Sequence, residues 1–129
     1  MEYIQLLCHL TGDYGLQSPW MAKNKTRQWP VAVIHASISC VPFLFFVRPS
    51  FAAVLVIFGS HAVIDRYRLA KYVVFASQFL SPPGEWKSWA DCDETGHPKG
   101  TPPHIADWLT IIVDNTIHLV INYLALRYL

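Results

Sequence analysis

The apolar positions of the chain gather into four stretches separated by polar or proline-containing segments, and the first stretch is short and interrupted by polar residues. Apolar stretches of this kind predict helices, here over 3–17, 30–47, 51–66 and 105–127. A helix needs about 20 apolar residues to cross a bilayer, and the last stretch meets this requirement most clearly. We therefore expect an all-α integral membrane bundle of about four transmembrane helices, formed as a single domain over 1–129.

The segments between the apolar stretches carry their own signals. Pro30 suits the first turn of the second helix, and Ser50 is available as the N-cap of the third. Residues 67–80 predict an interfacial segment that lies along the membrane surface or extends the third helix. Residues 81–104 form a polar loop rich in Pro, Gly and Trp, which is long enough to act as a lid or a binding loop.

Composition and charge narrow the class of protein. The chain is 53% hydrophobic with a net charge of +1 and has no basic stripe, so nucleic-acid binding is not expected. Its three cysteines are an odd number, which argues against a disulfide framework. The N-terminus lacks the basic start and cleavage site of a secretory signal.

The placement of Lys and Arg predicts an orientation in the membrane. With the N-terminus outside, eight basic residues fall on the cytoplasmic side and two, Arg48 and Arg127, fall outside. We expect a multi-pass protein of the cell inner membrane, with both termini outside the cytoplasm and membrane lipid as its partner. The cytoplasmic residues are Lys23, Lys25, Arg27, Arg66, Arg68, Lys71, Lys87 and Lys99.

Histidine and aspartate recur four residues apart in three of the predicted helices, a spacing that places both on one helix face. Because the last helix runs opposite to the first and third, its reversed order puts all three pairs in one polar layer. A histidine of the second helix, His35, lies at a similar depth. A fourth pair, Asp93 with His97, lies in the polar loop and is set aside. The three helical pairs are His9 with Asp13, His61 with Asp65, and Asp114 with His118.

Ionisable residues inside apolar helices are costly and usually functional. Converging histidines and carboxylates are typical of dinuclear metal sites in helical bundles, and this donor set suits Zn, Mn or Fe. We expect a divalent metal, with room for two, and carboxylates that act in catalysis at Asp13, Asp65 and Asp114. The predicted ligands are His9, Asp13, His35, His61, Asp65, Asp114 and His118.

Other roles for the same residues stay open. Any single His/Asp pair could form only a hydrogen bond, or could pair with Arg66 or Arg68 near the interface. On the metal hypothesis, Gln17, Lys25 and Arg66 would orient an anionic group of the substrate.

Several of these motifs together resemble an uncharacterised family of small bacterial and phage inner-membrane proteins, known by a domain-of-unknown-function label. The motifs are His9 to Gln17 with Trp20 to Lys25, then His61 to Arg66, then Asp114 to His118, with His35 between the first two. The resemblance covers nearly the whole chain. The family is in turn distantly similar to membrane-bound metal-dependent hydrolases with His-x-x-x-Asp helices, which implies a metal site. Asn115 and the loop 81–104 depart from the family pattern.

Three functions follow as hypotheses. The first is an intramembrane metal-dependent hydrolase that acts on a lipid or a phosphorylated amphiphile at the cytoplasmic face. The second is an ion- or proton-conducting or transport protein, since His/Asp chains in membranes also serve as relays. Four helices are few for a transporter, so this function would require a homo-oligomer. The third is a non-catalytic phage or bacterial membrane interaction protein that docks through 81–104.

Overall fold

The computed structural model describes residues 2–129, without the side chain of Glu2. Among these residues it contains helices and irregular segments and no β-strand, so the predicted all-α class is confirmed. The α-helices are α1 (Glu2–Leu10), α2 (Pro19–Asn24), α3 (Trp29–Phe46), α4 (Phe51–Tyr67), α5 (Ala70–Ala76) and α6 (Pro103–Tyr128). A π-helical turn (Thr11–Gly15) follows α1, and 3-10 turns occupy Ser77–Leu80, Pro83–Glu85 and Trp89–Asp91.

The chain divides into two compact units. The first contains the described residues up to Tyr67 together with His118–Leu129, and the second is Arg68–Ile117. In the first unit, α3 packs against α1, α2 and α4. The end of α6 joins them through Ala125, which shares a small apolar cluster with Cys8 and Phe43. The single domain expected over 1–129 stays a prediction.

The interior of the first unit is polar where it is most deeply buried. The largest fully buried side chains of the described chain are four histidines and an asparagine: His9, His35, His61, His118 and Asn122. Large apolar side chains lie on the outside, where Phe45, Phe46 and Phe51 are 72%, 74% and 79% exposed. Water-soluble proteins bury such residues and rarely expose them in groups. The first unit therefore combines a polar interior with large apolar side chains at its surface.

The predicted number of four spanning helices is wrong by the criteria of helix length and apolar composition. Within residues 2–129, two helices are long and apolar enough to cross a membrane by length and composition, namely α3 and α6. The stretch predicted as one helix over 3–17 is divided between the nine residues of α1 and the π-helical turn. Helix α4 has 17 residues, at the short end for a span, and its C-terminal half contains His61, Asp65 and Arg66.

Capping residues explain where the helices of the first unit begin. The Ser18 hydroxyl accepts a hydrogen bond from the Met21 amide at 3.2 Å, and Pro19 follows it, so the short helix α2 forms between the first two predicted helices. The predicted N-cap at Ser50 is confirmed, since its hydroxyl accepts from the Ala53 amide at 3.1 Å. Pro30 lies in the first turn of α3, as predicted.

In the second unit, the polar loop 81–104 packs against α5 and the 3-10 turn that follows it. The Trp89 ring stacks on Tyr72 with centroids 5.4 Å apart and meets Phe75 edge-on at 5.1 Å. The Gln78 side chain accepts a hydrogen bond from the Lys87 amide at 2.8 Å. The segment predicted as interfacial, 67–80, contains α5 and a 3-10 turn, and its relation to a membrane stays a prediction.

The tip of this loop is a tight turn around the pair that we set aside. The Asp93 amide donates to the His97 carbonyl at 2.8 Å, and the Asp93 carboxylate accepts from the backbone amide and the hydroxyl of Thr95. Burial raises the pKa of Asp93, but the hydrogen bonds from Thr95 outweigh it and hold that pKa below its ordinary value. Gly96 has φ +86° and lies against the Lys71 backbone, where a Cβ would clash.

Replacing Gly12 with alanine should destabilise the first unit. A Cβ at this position would lie 2.8 Å from the Cα and 2.9 Å from the carbonyl oxygen of Ser39, so α3 would have to move. We expect a loss of about 1–3 kcal/mol, the usual cost of overpacking. Thermal unfolding followed by circular dichroism measures it. Gly59→Ala is the matched control, because a Cβ at Gly59 meets nothing within 4 Å. That variant should be neutral or slightly stabilising, and equal losses in both variants would contradict the packing argument.

Candidate metal centre

A π-helical turn at the end of α1 sets the position of Asp13. Short π-helical segments within α-helices are often found at functional sites, because they shift the side chains that follow. The close approach of Gly12 to Ser39 brings this turn against α3. The Ser39 hydroxyl then donates a hydrogen bond to Asp13 Oδ1 at 3.2 Å. The local geometry therefore holds a buried carboxylate at the boundary between two helices.

Four ligand-type atoms from α3, α4 and the π-helical turn converge on one point, and we call them the inner cluster. They are His35 Nε2, His61 Nε2, Asp13 Oδ1 and Asp65 Oδ2. The two imidazole nitrogens are 3.1 Å apart. His61 Nε2 lies 3.0 Å from the Asp13 oxygen and 3.3 Å from the Asp65 oxygen. His35 Nε2 lies 3.5 Å and 3.2 Å from the same two oxygens. None of the four residues is more than 5% exposed.

These separations suit a shared cation better than hydrogen bonds alone. Ligands about 2.0 Å from a tetrahedral Zn²⁺ lie about 3.3 Å from one another, close to the separations observed here. A ring nitrogen carries at most one proton, yet His61 Nε2 faces two carboxylate oxygens and a second imidazole nitrogen. One N–H cannot bond to all three. Buried charges are normally paired or bound to metal, and this cluster places two carboxylates together.

A lysine contributes a further positive charge at the edge of the inner cluster. Lys25 Nζ lies 3.0 Å from Asp65 Oδ2 and 3.2 Å from His35 Nε2. The other ring nitrogen of His35 is buried and has no hydrogen-bond partner among the described residues. The interactions on the Nε2 side therefore fix the orientation of that ring.

Two more histidines lie beside the inner cluster, next to the second carboxylate oxygens of Asp13 and Asp65. His9 Nε2 lies 3.6 Å from Asp13 Oδ2, and His118 Nε2 lies 3.9 Å from Asp65 Oδ1. The His9 and His118 rings stack at 5.4 Å, and His118 is 4.3 Å from the His61 ring. The structure thus brings these six predicted ligands together. Two groups of three, His9/Asp13/His61 and His35/His61/Asp65, could each hold a metal ion.

The remaining predicted site residues are Asp114, Arg66 and Gln17. Asp114 is half-buried one turn before His118 on α6, and its roles stay predictions. Arg66 donates to the Thr26 carbonyl at 3.1 Å, and its guanidinium lies over the Trp29 ring at 5.9 Å. Arg66 therefore links α4 to the segment that connects α2 and α3. Gln17 is half-buried, and its Oε1 has no hydrogen-bond partner in the described part of the chain. The proposed contacts of these residues with substrate are untested.

Sequence reasoning missed two polar residues of the centre. Ser39 follows His35 by one turn on α3 and bonds Asp13. Asn122 follows His118 by one turn on α6, is 1% exposed, and has a buried Nδ2 without a hydrogen-bond partner in the described chain. Both extend the same four-residue spacing that revealed the His/Asp pairs. That spacing, followed beyond the ionisable residues, would have found them.

The fold and the site define an all-α protein with a histidine–aspartate centre buried among its helices. The chain belongs to the DUF3307 family of proteins of unknown function, whose sequence model matches residues 2–126. This confirms the resemblance to a domain of unknown function, and the match includes every residue of the centre. No curated protein and no solved structure matches the chain. The similarity to metal-dependent hydrolases stays a prediction.

Replacing Ser39 with alanine should weaken metal binding. The hydroxyl orients Asp13 Oδ1, and loss of such a supporting hydrogen bond typically lowers metal affinity about 10–100-fold. Competition with a chelating dye for Zn²⁺ measures the change. The matched control is Ser37→Ala, because the exposed Ser37 hydroxyl bonds only within its own helix, to Val33. Unchanged Zn²⁺ affinity in Ser39→Ala, with the fold intact, would count against Asp13 as a ligand.

Proposed function

We propose that the protein is a membrane-embedded metal-dependent hydrolase whose metal is held by the inner cluster. The observation that carries the proposal is the spacing of 3.0–3.5 Å between the two imidazole nitrogens and from each nitrogen to the two carboxylate oxygens. Two nitrogens and two oxygens are a donor set that suits Zn, Mn or Fe. A divalent metal at such a site supplies a Lewis acid and a water activated for attack near neutral pH.

The surroundings of the centre favour a substrate that is both amphiphilic and anionic. The outer surface of the first unit is apolar at Phe45, Phe46 and Phe51, which suits lipid. The ammonium of Lys25 beside the centre suits a phosphate or carboxylate group. We infer a lipid or a phosphorylated amphiphile that reaches the centre from the headgroup layer.

The reaction is hydrolysis of an ester bond. The oxygen of water forms a bond to phosphorus or to the carbonyl carbon, and the bond to the leaving oxygen breaks. One proton of the water ends on the leaving alcohol, and the other stays on the released acid or passes to solvent. Among the chain's own groups, Lys25 would hold the anionic part of the substrate, and the buried helices would exclude bulk water from the centre.

The membrane location is part of the proposal. Helices α3 and α6 are candidate spans by length and composition. The polar interior and apolar exterior of the first unit supply the additional support. In this setting α1 and α4 would lie within the bundle as shorter helices. The predicted inner-membrane orientation, with both termini outside the cytoplasm, belongs to the same proposal.

The variant His61→Ala should abolish metal retention. His61 Nε2 is the atom closest to Asp13 in the inner cluster, so its loss opens the ligand set. Elemental analysis after purification without chelator should find metal in the parent and in His104→Ala, whose histidine is exposed on α6, but little in His61→Ala. Hydrolysis of phosphate-ester and carboxylic-ester amphiphiles should follow the metal content.

Other outcomes of this experiment have distinct meanings. Metal bound without hydrolysis, together with metal flux into proteoliposomes, would replace the hydrolase with a transport function. Metal absent from the parent, with no gain on addition of Zn²⁺, Mn²⁺ or Fe²⁺, would refute the metal centre. It would leave a hydrogen-bonded core consistent with a proton-conducting or interaction protein.

Replacing Lys25 with methionine should tighten metal binding. The ammonium competes with a metal ion for Asp65 Oδ2, from which it is separated by 3.0 Å. We expect the Zn²⁺ affinity to rise by about tenfold, equivalent to about 1.4 kcal/mol. The matched control is Lys23→Met, since Lys23 is exposed on α2. Calorimetric titration with Zn²⁺ measures both variants, and weaker binding in Lys25→Met alone would contradict the competition.

A further inference from the structure

The geometry points to a second, more open metal subsite beside the inner cluster, formed by His9, His118 and the outer oxygens of Asp13 and Asp65. We propose that Asp13 and Asp65 bridge the two metals and that the reactive water belongs to the second one. This inference rests on the proposed function and deepens it. It divides the histidines between the metals, with His35 and His61 on the first and His9 and His118 on the second.

The division follows from the two oxygens of each carboxylate. Asp13 turns Oδ1 toward His35 and His61, and Oδ2 lies closest to His9 at 3.6 Å. Asp65 turns Oδ2 toward the same two histidines, and Oδ1 lies 3.9 Å from His118. Each carboxylate therefore offers one oxygen to each side. This is the arrangement of a bridging carboxylate, and the metals of such pairs lie about 3.5–4 Å apart.

The two sides differ in how completely the chain surrounds the metal. At the inner cluster, each imidazole nitrogen lies 3.0–3.5 Å from the other and from both carboxylate oxygens, so the chain fills most of the ligand positions around a metal there. Structural zinc sites are filled by protein ligands, whereas catalytic sites keep a position for water or substrate. The outer separations of 3.6 Å and 3.9 Å exceed the tetrahedral spacing of about 3.3 Å. The second subsite therefore has room for water ligands.

An independent observation supports a polar occupant on this side. Asn122 lies one turn beyond His118 on α6, is 1% exposed, and its Nδ2 has no hydrogen-bond partner among residues 2–129. Buried amide groups are almost always hydrogen-bonded, to protein or to an ordered water. A metal ion with its water ligands beside His118 would supply that partner. The nearly parallel rings of His9 and His118, 26° apart, lie on the same side.

The test is titration of metal-free protein with Mn²⁺ alone, followed by elemental analysis and electron paramagnetic resonance. The parent should bind two Mn²⁺ and show the spectrum of an exchange-coupled pair. The His9→Ala/His118→Ala double variant should bind one and show an uncoupled ion. The second Mn²⁺ of the parent should dissociate first on dialysis, because the chain supplies fewer close ligands to it. His104→Ala should behave as the parent.

The possible results separate this inference from the proposed function. One Mn²⁺ in both the parent and the double variant would overturn the second subsite and leave a single-metal hydrolase. No Mn²⁺ in the parent, after the same result with Zn²⁺ and Fe²⁺, would overturn both. If the double variant does not fold, the spectrum of the parent is sufficient. An exchange-coupled spectrum supports the two-metal site, and an uncoupled Mn²⁺ ion at full occupancy overturns it.

Discussion

Two aspartates buried among apolar helices impose the main constraint on this structure. A carboxylate removed from water must be neutralised, bound to metal or paired with a cation, because burial of an isolated charge is very costly. Asp13 and Asp65 are at most 5% exposed, and they share the histidines His35 and His61. The cluster requires positive charge, and the single ammonium of Lys25 reaches only one of the two carboxylates. A divalent metal would satisfy both.

The packing around α3 positions the polar groups that stabilise the buried aspartates. Helix α3 contributes His35 and Ser39 to the centre and packs against the π-helical turn at Gly12, where a side chain would separate the two elements. The ordinary relation between core and surface is inverted, since the deepest large side chains are polar and the phenylalanines face outward. Polar groups at the centre can thus stabilise one another, and in the proposed membrane setting a metal would stabilise the centre and lipid would cover the exterior.

The sequence pattern was sufficient to predict the all-α class from its apolar stretches, and to select His9, His61 and His118 by their four-residue spacing from aspartates and His35 by its depth in the second helix. It could not give the number of spanning helices, since hydropathy does not show that a π-helical turn interrupts the first stretch. Nor could it show which oxygen of Asp13 meets which histidine. That assignment depends on how α1, α3 and α4 approach one another, which is a property of tertiary packing. Ser39 and Asn122 were missed because the search was limited to ionisable residues.

The central claim is that histidine and aspartate side chains hold a metal inside the first unit. X-ray absorption at the zinc edge of the zinc-loaded protein tests it most directly. If the buried cluster holds the metal, zinc should have only nitrogen and oxygen neighbours at about 2.0–2.2 Å, with the multiple-scattering signature of imidazole rings. Sulfur neighbours at about 2.3 Å would assign the metal to Cys8, Cys40 or Cys92 and contradict a histidine–aspartate site. A shell of water alone, without imidazole scattering, would show that the buried cluster does not bind the ion.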